Sequence, residues 1–139
     1  MDGGHDEPII APRTLLSTSF DADGVTSLRH TLAAHAQHAG LTGEDLDGFV
    51  IAVHELVINA VLHGGRGRLN LRDNGTCLTC EVTDSGRPAH LPATIAAPGP
   101  TTARRRGLWL AKQLTDDLQL DAGARGLTAS VTVHLPANP

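Results

Sequence analysis

Glu55, Asn59 and His63 stand at positions i, i+4 and i+8, the spacing that stacks side chains along one face of an α-helix. Nearly every residue around them from Phe49 to Leu62 is apolar, so a helix here buries most of its circumference. A carboxylate among Val53, Leu56, Ile58 and Val61 is costly to desolvate unless a cation or a reacting group compensates it. The plainer alternative is a stripe that faces solvent or caps neighbouring backbone. His54-Glu55 begins an H-E-x-x-H zinc pattern, but position 58 holds Ile58 where the second histidine is required. None of the eight histidines shows another metal-ligand spacing; His30, His35 and His38 read as surface or helix-face residues and His54 as a packed histidine. Cys77 and Cys80 form a C-x-x-C, yet on a strand residues three apart point to opposite faces, so they read as two unlinked thiols, one buried and one near the surface.

The polar stripe lies on a helix from about Glu44 to His63, stopped by Gly64-Gly65. Thr42 with Asp45 resembles a capping box at its start. Upstream, Leu15 to Phe20 reads as a strand, and Asp23 as the N-cap of a helix with apolar positions at Val25, Leu28, Leu32, Ala36 and Ala39, ended by Gly40. Downstream, strands are predicted at Arg68–Arg72, Thr76–Asp84, Leu118–Leu120 and Leu127–Leu135, the first two joined by a turn at Asp73-Asn74-Gly75. The Thr76–Asp84 strand directs Leu78, Cys80, Val82 and Asp84 to one face, and the last strand alternates in the same way, so one sheet face is wet. Between them run Ser85 to Arg106, read as a lid or binding loop because of its length, and a short helix from Gly107 to about Leu114. The order βααββ, lid, αββ predicts an α+β two-layer sandwich, with helices packed on one face of a mixed, mostly antiparallel sheet.

The 139-residue chain is sized for one domain. We expect a flexible tail over residues 1–13, a folded domain over 14–135 with a lid at about 85–106, and a short tail over 136–139. Eleven basic against 15 acidic residues and 2 % aromatic content argue against a direct nucleic-acid partner, which calls for basic surface and stacking platforms. The longest uninterrupted apolar run, Phe49–Val53, falls short of the roughly 18 residues of a membrane span. The acidic, polar start Met1-Asp2-Gly3-Gly4-His5-Asp6-Glu7 is unlike a signal peptide, so a cytoplasmic location is expected.

Three separated segments coincide in order: Glu55-Leu56-Val57-Ile58-Asn59-Ala60-Val61-Leu62-His63-Gly64, Thr83-Asp84-Ser85-Gly86, and Arg106-Gly107-Leu108-Trp109-Leu110. Together they resemble the N, G1 and G2 boxes of the GHKL ATPase superfamily, most closely its small stand-alone anti-sigma-factor serine kinases, over about residues 14–135. The resemblance implies the Bergerat, or histidine-kinase-like ATPase, fold. It also implies ATP and Mg²⁺ as cofactors, with Asn59 holding the cation and Glu55 as the general base for an attacking serine hydroxyl. Asp84 would read the adenine amino group, and Gly86 would let backbone approach the base. Gly107 would open a helix whose free N–H groups hold phosphates, with Arg104, Arg105 and Arg106 beside it for phosphate contact. His63 and Leu108 complete the nucleotide-binding positions.

The implied role is a partner switch: the chain phosphorylates a serine on a STAS-type anti-sigma-factor antagonist and sequesters a sigma factor, with a homodimer as the family's usual assembly. Three positions depart from the family pattern. Arg87 replaces the second glycine of D-x-G-x-G, Arg105 the first glycine before the G2 helix, and Leu127 a threonine near the adenine, with Thr128 on the opposite face by parity. They motivate the alternative of a non-catalytic or weakly ATP-binding module that captures a protein partner through its surface.

Overall fold

The computed structural model describes residues 11–84, 103–123 and 126–136, the side chains of residues 103–105 excepted. Residues 1–10 of the tail expected over 1–13, residues 85–102 of the lid expected over about 85–106, with Gly86 and Arg87, and residues 137–139 of the closing tail lie outside the described residues, while Arg13 already belongs to a strand. Strand β1 (Arg13–Asp21) leads through a single 3-10 turn, Ala22–Gly24, into α1 (Val25–Ala39) and then α2 (Gly43–Gly64). β2 (Arg66–Asp73), β3 (Cys77–Asp84), α3 (Ala103–Leu114), β4 (Asp117–Gly123) and β5 (Gly126–His134) follow. The strands lie in the order β1-β2-β3-β5-β4, and every pairing is antiparallel. The three helices pack on this sheet in an α+β arrangement.

Alternation builds the two faces. β2 buries Gly67, Leu69, Leu71 and Asp73 while β3 buries Leu78, Cys80, Val82 and Asp84, as the period of two requires. The opposite face carries hydroxyls that bond across strands, Thr79 to Thr132 and Thr83 to Thr128, each at 3.0 Å. Cys77 and Cys80 are both free thiols, the second fully buried and the first half-exposed. The hairpin turn is built by its own side chains: Asp73 Oδ1 accepts from the Gly75 N–H at 2.7 Å and Asn74 Oδ1 from the Cys77 N–H at 2.8 Å. Gly67 opens the sheet's inner face to the Phe20 ring, because a Cβ there would stand 2.7 Å from Phe20 Cζ.

α2 is the central element, touching α1, α3 and strands β2, β3 and β5. By length and composition it is apolar enough to cross a membrane, but here Phe49, Ala52, Val53, Leu56, Val57 and Ala60 are spent on the core. Burying each large side chain of this kind contributes about 1.5–3 kcal/mol. α2 ends as predicted: Gly65 takes a left-handed φ of 76° and its N–H bonds to Val61 O at 2.9 Å.

The helix starts differ from expectation. Asp21, not Asp23, supplies the capping carboxylate, accepting from the Asp23 N–H at 3.0 Å, because the 3-10 turn precedes α1 and leaves Gly24 at its N-cap. Thr42 occupies the N-cap of α2, but its side chain makes no capping bond. α3 begins at Ala103 rather than Gly107, so the expected lid gives its last four residues to the helix. Glycine at 107 is the reason the start was read late: its low helix propensity marks a boundary in sequence, whereas here it serves a close helix contact.

Candidate functional site

The α2 stripe divides by depth: Asn59 is 6 % exposed, Glu55 half-buried and His63, in the final turn, exposed. What Glu55 and Asn59 face is α3. A Cβ added to Gly107 would stand 3.2 Å from Glu55 Oε1, 3.3 Å from Asn59 Nδ2 and 3.5 Å from Asn59 Oδ1. The carboxylate and the amide thus converge on one point of α3, where a side chain at 107 would press on both. His54 sits away from this face, lining a small cavity between α1 and α2 with Val25, Leu28, Arg29, Leu32, Val53 and Val57. No group of three or more metal-ligating side chains forms among the described residues.

Asp84 closes β3 from the other side. It is 8 % exposed, and its Oδ1 accepts from the buried Leu127 N–H at 2.8 Å. Gly126 is what allows this: its φ is 123°, and a Cβ there would overlap the Asp84 carboxylate. Asn59, Asp84 and Leu108 then line one cavity of about 10 Å³ with Leu56, Ala60, Val82, Leu127 and Ala129, space for about one water molecule. Its walls are apolar apart from the Asp84 carboxylate and the Asn59 amide. A larger cavity of about 500 Å³ lies elsewhere, an open groove between β1 and α1 bounded by Phe20, Asp21 and Leu28, and it holds none of the predicted site residues.

The structure therefore brings together Glu55, Asn59 and Gly107 at one point, and Asn59, Asp84 and Leu108 around one cavity. Gly107 does not open α3 as expected, so its N–H is not one of the helix's unsatisfied donors. Those donors belong to the turn that begins at Ala103. That turn carries Arg104, Arg105 and Arg106 and no acidic residue. Arg106 is exposed; the Arg104 and Arg105 side chains lie outside the described residues. Sequence reasoning missed Gly126 and the Leu127 N–H as the partners that fix Asp84. The signal available was a glycine immediately before an alternating strand.

The family model of the histidine kinase-like ATPase domain matches residues 18–133. The chain belongs to this family. The match spans α2, Asp84, α3 and the closing strands, and with it the antiparallel α+β sheet is the histidine-kinase-like ATPase fold. Membership makes ATP the expected nucleotide and an ATP-dependent kinase or ATPase the expected type of activity. No curated protein matches the chain.

The residues present fit that nucleotide. The Asn59 amide is a buried oxygen-bearing group of the kind a hard cation takes, and Asp84 is a buried carboxylate with acceptor oxygens.

Proposed function

We propose that this histidine kinase-like ATPase domain is an ATP- and Mg²⁺-dependent serine kinase. It acts in the cytoplasm on a STAS-type anti-sigma-factor antagonist and sequesters a sigma factor when unphosphorylated antagonist is scarce. The observation that carries the reading is the convergence of the Glu55 carboxylate and the Asn59 amide at Gly107. A general base and a cation ligand are the two groups a phosphoryl transfer to a hydroxyl asks of a protein.

Bound ATP with its divalent cation would supply the phosphoryl group and the charge that neutralises it. Asn59 would hold the cation, and Glu55, one turn earlier on α2, would take the proton from the serine hydroxyl. Its half-buried setting keeps it open to the incoming hydroxyl while limiting competing water. Asp84, pinned by the Leu127 N–H, would accept from the exocyclic amino group of the base. The first turn of α3 carries three arginines in sequence and no acidic residue at the positive end of a helix dipole, a composition that suits a phosphate chain. A homodimer is the assembly this reading favours.

The test is phosphate transfer from labelled ATP to a purified STAS-type antagonist. We expect one phosphoserine on the antagonist, formed about 10²–10⁴-fold more slowly with Glu55→Gln. Transfer undiminished in Glu55→Gln removes Glu55 from the base role. A second reading, a weakly ATP-binding or non-catalytic module that captures a protein partner, draws on the closed 10 Å³ cavity and on Leu127 in its wall. It requires partner affinity to be indifferent to Asn59→Ala.

A further inference from the structure

At the far end of β3 from Asp84, Cys77 and His134 face each other as directly opposed residues of β3 and β5. Cys77 Sγ lies 3.3 Å from His134 Nδ1, and Thr76 Oγ1 lies 3.8 Å from the same sulfur. The imidazole is exposed and the thiol half-exposed, so the pair is open to small molecules. Both backbones are pinned: the Cys77 N–H bonds to Asn74 Oδ1 at 2.8 Å and the His134 N–H to Asp116 Oδ2 at 2.7 Å. Leu135 N–H further ties the end of β5 to Thr76 O at 2.7 Å. A nucleophile and a base within hydrogen-bond reach, both held by rigid strands, is the arrangement that activates a thiol. The other cysteine makes the contrast. Burial, and secondarily the Glu81 charge, push the Cys80 thiol far above its ordinary range, which leaves it inert.

We propose that Cys77 is a site of thiol modification by low-molecular-mass disulfides, with His134 as its base. His134, protonated on Nε2, accepts the Cys77 thiol proton at Nδ1 as Sγ attacks one sulfur of R–S–S–R. The S–S bond breaks, Cys77–S–S–R forms, and the leaving thiolate takes the proton to become R–SH. Oxidised disulfide is thereby reduced by one thiol while Cys77 is oxidised, so the exchange needs no further reagent. The adduct stands at the end of the polar sheet face, ~23 Å along β3 from Asp84 at about 3.3 Å per residue. It therefore alters what docks on that face and leaves the nucleotide slot as it was.

The experiment is the reaction of the folded chain with dithiobis(nitrobenzoate) at pH 7.5, followed by mass mapping of the adduct. We expect one fast thiol, located at Cys77, reacting at least tenfold faster than free N-acetylcysteine. His134→Ala should slow it at least tenfold, with Cys80 silent in both proteins. If His134→Ala exposes Cys80 by unfolding, His134→Gln is read in its place. A Cys77 rate equal to that of the free thiol, or unchanged on removing the imidazole, overturns the proposal.

Discussion

Asn59 is the residue on which nucleotide and fold most nearly coincide, because among the described residues it is, with Asp73 and Asp84, one of the few polar side chains buried beside an otherwise apolar core. Replacing it by alanine is expected to remove Mg²⁺-dependent nucleotide binding. Glu55→Gln should instead keep nucleotide affinity while lowering phosphate transfer by about 10²–10⁴-fold, the span of a general base; parallel titration and transfer assays separate the two variants. Asp84→Ala leaves the buried Leu127 N–H without its acceptor and is expected to cost about 1–3 kcal/mol of stability, read from the urea midpoint. The stripe was legible in sequence because helical spacing and the apolar surroundings of Glu55 and Asn59 are local properties. The partner of Asp84 was not, since Leu127 lies 43 residues away and only the pairing of β3 with β5 brings it near.

Among the elements, α3 shows where sequence signals mislead. Gly107 carries the mark of a helix boundary, yet it sits within α3 at the contact with α2. In this setting Gly107→Ala gains helix propensity of about 1 kcal/mol but sets a methyl 3.2 Å from Glu55 Oε1. Global stability is therefore expected to stay within about 1 kcal/mol of the parent while nucleotide affinity falls, which thermal denaturation with and without ATP resolves. Gly126→Ala offers no such offset: its φ of 123° and the overlap with Asp84 both oppose a side chain. We expect a loss of about 2 kcal/mol or more and a lower urea midpoint. By contrast, the strand faces, the Asp73-Asn74-Gly75 turn and the Gly65 stop could be read directly, since alternation, turn chemistry and the left-handed cap each depend on neighbours in sequence.

For the molecule as a whole, the buried Cys80 links stability to pH. Desolvation raises its folded-state pKa, whereas the thiol of the unfolded chain ionises near about 8.5. Above that value the unfolded state binds fewer protons than the folded one, so stability falls as pH rises, by up to about 1.4 kcal/mol per pH unit; below it the contribution is constant. Chemical denaturation between about pH 8 and pH 10.5 should show this slope, and Cys80→Ala should lose it.

The proposed kinase requires the cavity bounded by Asn59, Asp84 and Leu108 to open and take ATP with its cation. Calorimetric titration of the purified chain with ATP, with and without Mg²⁺, tests it most directly. We expect sub-millimolar binding that depends on Mg²⁺ and disappears in Asn59→Ala. No detectable heat at concentrations able to report such affinity, or binding that Asn59→Ala leaves intact, would contradict it.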